Sequence, residues 1–132
     1  MKAVAVLIIS VLALYGADVT GTWKGRIEVA DPGSGETIST EVTARFDQKS
    51  GEVSGKIGRT QDTQLETIRN GKLDGKALVF EVKGPEATTP WKFSLVLVSD
   101  DRIEGEMRGA VDVGSISGKV VLIRSKETAA QQ

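Results

Sequence analysis

Residues 91–109 read WKFSLVLVSDDRIEGEMRG. Trp91, Phe93, Leu95 and Leu97 recur at every second position, which is the signature of a strand with one dry face. Ser99-Asp100-Asp101 then turns the chain. From Arg102 to Gly109 the alternation resumes, with Ile103, Gly105 and Met107 on one face and Glu104, Glu106 and Arg108 on the other. Within it lies Ile103-Glu104-Gly105-Glu106-Met107, an apolar–any–Gly–charged–apolar pattern. The same pattern recurs at Trp23–Ile27, Val53–Ile57, Leu73–Ala77 and Ile116–Val120. Its Gly falls each time on the inward phase, where a strand bends sharply or is closely approached. A small curved barrel needs such glycines at its corners.

Working outward from this stretch, nearly everything after Ala17 reads as strand and turn. Strands are expected at about Gly21–Val29, Ile38–Phe46, Val53–Ile57, Leu65–Arg69, Lys72–Val82, Trp91–Val98, Arg102–Gly109 and Ile116–Arg124. Ile38, Val42, Ala44 and Phe46 are the inward set of the second, with Thr40 as its polar exception. Asp31-Pro32-Gly33-Ser34-Gly35 and Lys49-Ser50-Gly51 are turn signals. Asn70-Gly71 is the strongest two-residue hairpin signal. A phase shift between Leu73 and Leu78 predicts a bulge near Gly75. No useful helical periodicity interrupts the series. Eight short strands with short turns point to an all-β barrel or sandwich. Closure abolishes exposed edges and is favoured, giving an eight-stranded antiparallel up-and-down barrel.

The first residues stand apart. Met1-Lys2, the apolar run Ala3–Leu14 and Tyr15-Gly16-Ala17 have the layout of a secretory signal peptide. The run is shorter than the about 20 residues a membrane span requires, so no stable span is expected after cleavage. The expected organisation is a signal peptide at 1–17, a barrel domain at 18–124 and a frayed tail at 125–132, in a secreted or periplasmic protein. Losing Lys2 leaves 16 of the 17 basic residues against all 18 acidic ones, interspersed, which argues against a nucleic-acid groove. There is no Cys, so no disulfide staples the fold and the core must suffice. There is no His, which removes the commonest general base and transition-metal ligand.

Gly21-Thr22-Trp23-Lys24 opens the first strand and Leu122-Ile123-Arg124 ends the last. In a closed barrel these strands are neighbours, so the Arg124 guanidinium is expected over the Trp23 indole, with Gly21 beside them as a structural base. A Gly-X-Trp opening with a late basic residue resembles the calycin group, which includes lipocalins, fatty-acid-binding proteins and avidins. The resemblance implies a closed antiparallel β-barrel and transfers no ligand. Asp18-Val19-Thr20 is too short for the helical plug of lipocalins. Arg124 is followed by Ser125 and Lys126 rather than the Arg-X-Tyr of fatty-acid-binding proteins. Trp23 and Trp91 alone do not make the aromatic box of avidins.

An eight-stranded barrel is either filled by side chains or holds one small ligand. A dry cavity of about 300 Å³, at about 24 cal/mol per Å³, would remove roughly 7 kcal/mol, much of the usual about 5–15 kcal/mol of net stability. A mostly filled interior with a shallow open-end pocket is therefore expected. No nucleophile–base set is present without His or Cys, and Glu28, Glu41, Glu104 and Glu106 face outward, so no catalytic residues are assigned. Turn chemistry explains Asp31, Glu36, Asp100, Asp101 and Asp112 without a metal, and no cofactor is implied. The two longest polar loops, Gly58–Gln64 and Lys83–Pro90, put Arg59, Gln61, Asp62, Gln64, Thr88, Thr89 and Trp91 forward as ligand-binding residues. Val79, Val96 and Val98 lie on the solvent phase and mark a surface for a protein partner or a second copy. Val121 and Ile123 add a second outward apolar pair. The leading expectation is an exported, non-enzymatic lipocalin-like barrel that binds a small apolar or amphipathic molecule, or a protein, at its rim. The alternative is a structural or protein-interaction module of the cell envelope, for example inhibitor-like, with a filled barrel.

Overall fold

The structure, a computed structural model, describes residues 18–31, 33–62, 64–83, 89–111 and 114–125. The expected signal peptide, Thr88, Asp112 and the tail beyond Ser125 lie outside the described residues. Eight strands succeed one another: β1 Gly21–Ala30, β2 Thr37–Lys49, β3 Glu52–Arg59, β4 Glu66–Asp74, β5 Ala77–Val82, β6 Trp91–Ser99, β7 Arg102–Val111 and β8 Gly114–Arg124. Each pairs antiparallel with the next, and β8 returns to β1 to close the barrel. This is the up-and-down order that the alternation predicts.

At three of the repeated glycines, Gly25, Gly55 and Gly105, the backbone of a neighbouring strand comes very close. A Cβ at Gly25 would lie 1.8 Å from the Val121 carbonyl oxygen, and one at Gly55 would lie 1.9 Å from that of Arg45. No side chain is compatible with that approach. Gly105 is similarly pressed against the Ser94 carbonyl, whereas the space over Gly118 is taken by the Val29 and Ile27 side chains.

The fifth glycine of the pattern corrects the sequence reading of β4 and β5. Asn70-Gly71 is not a hairpin. It lies inside β4 as a bulge, and the pairing register shifts there against both β3 and β5. The turn is at Gly75-Lys76, where Gly75 takes φ +63° and Leu73 pairs with Leu78 across it. Asn70 does adopt the left-handed conformation that Asn-Gly favours, with φ 55°. That conformation serves an extra residue in the ladder instead of a reversal, and moves the inward phase from Ile68 to Leu73.

Among the described residues, nineteen buried apolar side chains from all eight strands and from Val19 form one core. All three phenylalanines meet in it: Phe80 stacks on Phe93 at 4.6 Å between centroids and meets Phe46 at 5.6 Å with tilted planes. Such pairs add about 0.5–1.5 kcal/mol beyond their buried area. Ile38 departs from expectation. It holds the inward phase opposite Val29, yet it is 53% exposed, because β2 begins above the level at which the core fills the barrel.

Candidate functional site

The two ends of the barrel differ. The base is formed by the chain entry at Asp18–Thr20, the turns after β2, β4 and β6, and Arg124. Val19 and Trp23 are both 0% exposed. The indole Nε1 donates to the Val19 carbonyl at 2.8 Å, and the Val19 amide donates to Gln48 Oε1 at 3.0 Å. The Arg124 guanidinium lies over the Trp23 ring, 4.4 Å from its centroid. Its Nε donates to the Asp100 carbonyl at 2.9 Å, and Nη1 and Nη2 donate to the Thr20 and Asp18 carbonyls, each at 2.7 Å. Arg124 thereby satisfies carbonyls of two segments with one planar fork, which a point-charge ammonium does not do. Gly21 leaves room for it, since a Cβ there would lie 3.3 Å from Nη1. Asp18, Val19 and Thr20 thus take part in sealing the base. Ser125, expected in the frayed tail, donates its amide to the Thr22 carbonyl at 2.8 Å.

The opposite end is less buried among the described residues. The inner-face residues of its last layer include Val29, Ile38, Trp91 and Ile116, of which three are half-buried and Ile38 is exposed. They form an arc. Ile38 pairs with Val29, Val29 pairs with Gly118 on β8, and Ile116 and Trp91 flank Gly109. The Trp91 ring covers Gly109, where an added Cβ would fall 2.1 Å from the indole. The other half of the mouth carries charge. Arg59 and Glu66 are on the inner phase there, opposite buried Val42 and Ile57. The mouth therefore presents an apolar arc facing a polar one.

The residues proposed from sequence are dispersed over this end. Arg59 and Asp62 satisfy each other, with Nε to Oδ2 and Nη2 to Oδ1 both at 3.1 Å. Gln61 is exposed in the same loop. Gln64 lines a groove of about 610 Å³ on the outer wall, with Arg45, Asp47, Lys56 and Leu65. Thr89 lines a second shallow groove of about 440 Å³ with Lys92, Arg108 and Ile116. Trp91 alone of the set sits in the apolar arc. Its companions there, Val29, Ile38 and Ile116, are not legible as mouth residues, because alternation fixes a face and carries no height along the barrel.

Among the described residues no three acidic side chains are grouped to hold a metal ion. Asp31 accepts from the Gly33 amide at 3.1 Å and from Ser34 Oγ at 2.9 Å. These hydrogen bonds to the ionised form hold its carboxyl below the usual aspartate range. Asp31 therefore organises the β1–β2 turn beside the mouth.

No family model and no curated protein matches the sequence. A solved structure described as a redesigned beta barrel is similar, with a TM-score of 0.54 over 81% of this chain and 91% of that chain at 18% identity. A likeness at that identity concerns the closed-barrel fold alone.

Proposed function

We propose that this protein is an exported, non-enzymatic, calycin-like barrel that binds a small amphipathic molecule at its mouth. The observation that carries this is the difference between the ends: a base with Val19 and Trp23 wholly buried, and a mouth where Ile38, Val29, Trp91 and Ile116 offer apolar surface to solvent. Exposed apolar side chains grouped in a concave rim beside fixed polar groups are the usual makings of a small-molecule site. The apolar arc takes a hydrocarbon or ring. The Arg59 side supplies a polar edge for its head. The filled core below limits the ligand to a shallow seat. Export is supported by the N-terminal sequence pattern, and lack of His and Cys supports a non-enzymatic role.

A fluorescent fatty-acid analogue titrated into the purified protein is expected to bind saturably and to quench Trp91. Ile38→Ser is expected to weaken that binding, and Trp91→Phe to remove the quench while Trp23 emission stays constant. Binding that ignores both substitutions, or that never saturates, overturns rim recognition. Retention inside the cell on deletion of residues 2–17 is the matching test of export.

A second reading is favoured by the outer wall. Val79, Val96 and Val98 are 42%, 47% and 48% exposed on adjacent strands β5 and β6. Exposed Lys72 and Asp74 flank them on β4, and Arg102 and Glu104 form an ion pair on β7. An apolar strip bordered on each side by both signs of charge is self-complementary, so the occupant proposed is a second copy of this chain. Light scattering at rising concentration is expected to show a dimer that Val96→Glu dissociates. A monomeric mass throughout removes this reading.

A further inference from the structure

Two pairs of like charges stand directly opposite each other on the outer wall, Arg45 with Lys56 and Lys92 with Arg108. Directly opposed like charges destabilise a sheet. The second pair is compensated. Glu81 faces Lys92 from β5, and Arg108 Nη2 lies 3.5 Å from Glu106. The first has no acid opposite it and makes no ion pair among the described residues, although Asp47 lies two residues along β2 on the same face. Its row across the wall runs Thr22, Arg45, Lys56, Thr67, with neutral residues on both sides. None of the ion pairs among the described residues includes Arg45 or Lys56.

This uncompensated pair borders the groove of about 610 Å³ on β2 and β3. Gln64 adds an amide at its edge, and Asp47 is the one acid among its lining residues. Gly55 and Lys56, which line it, adjoin a break in the β3–β4 ladder. Pairing breaks between Val53 and Lys56, where β4 carries its Asn70-Gly71 bulge. Here two exposed cations share one row, and the wall beside them is recessed.

We propose that this groove binds a small oxyanion, a phosphoryl or carboxylate group, through Arg45 and Lys56. The anion supplies the negative charge that the row lacks. Arg45 offers a planar fork suited to two oxygens, and Lys56 a second cation. The site lies on the outer wall and is independent of the apolar mouth.

The test is a titration of the isotopically labelled protein with inorganic phosphate and, separately, with acetate at matched ionic strength, monitored by NMR. Saturable shifts at the Arg45 guanidinium and the Gln64 amide are expected with at least one of them. Saturation by phosphate alone assigns a phosphoryl ligand, and by acetate alone a carboxylate. Arg45→Gln and Lys56→Gln are each expected to weaken binding about tenfold, in line with loss of one charge-assisted hydrogen bond. Arg108→Gln is expected to leave it unchanged. Lys56→Glu creates the missing cross-strand pair, and is expected to raise the unfolding midpoint while abolishing saturation. Linear shifts with both anions, or equal weakening by Arg108→Gln, overturn the proposal.

Discussion

Trp23 and Trp91 mark the two ends of one barrel, and they are treated in opposite ways. Both hold the inward phase near the start of a strand. Trp23 is wholly buried, donates to Val19 and is roofed by Arg124. Trp91 is half-buried, lies over a glycine and keeps a face toward solvent. The strands that carry them are alike in pattern, and the contrast comes from their surroundings. At the base a fork of hydrogen bonds crosses between segments; at the mouth the apolar side chains stay part-exposed or exposed. The base is thus built for stability, and the mouth is where stability has been left unclaimed.

Four measurements would break or sharpen that contrast. The largest effect belongs to Trp23→Ala, which removes a buried aromatic and orphans the Val19 carbonyl. It is expected to destabilise by about 3–5 kcal/mol in urea unfolding. A loss as small as that of a surface substitution would end the picture of a sealed base. Arg124→Lys comes next. It keeps the charge but loses the fork, and about 1–3 kcal/mol is expected to go with the unfilled carbonyl contacts. Ile38→Ser, at the mouth, is expected to stay within about 0.5 kcal/mol of the parent, as befits an exposed position. A large loss there would mean that the mouth is core after all.

The smallest effect is electrostatic. Hydrogen bonds from Gly33 and Ser34 lower the Asp31 pKa in the folded protein. A lowered carboxyl contributes stability that is present above its unfolded pKa and fades as pH falls through the folded one. NMR titration of the Asp31 carboxyl is expected to show a midpoint below that of an ordinary aspartate, moving back upward in Ser34→Ala. An unmoved midpoint would detach this turn from the carboxyl.

Most of the fold is legible in the sequence because period-two alternation is long and clean in β1, β6, β7 and β8. The stacking of Trp23 and Arg124 comes with it once the first and last strands are taken as neighbours. Legibility ends where one local signal has two structural uses. Asn70-Gly71 carries a left-handed residue in a hairpin or in a bulge, and only pairing with β3 and β5 decides which. Height along the barrel is equally invisible, so Ile38 and Val42 look alike although only Val42 is buried. The outer groove is hidden for a third reason. Arg45 and Lys56 are ordinary surface cations until the β2–β3 register sets them face to face.

The fork of Arg124 has a kinetic consequence. It grips carbonyls 104 and 106 residues earlier in the chain. Contacts of such long sequence separation close late and slow folding. A chain emerging from the ribosome cannot complete its ring until β8 has appeared, and the Arg124 guanidinium is the latch that then closes it.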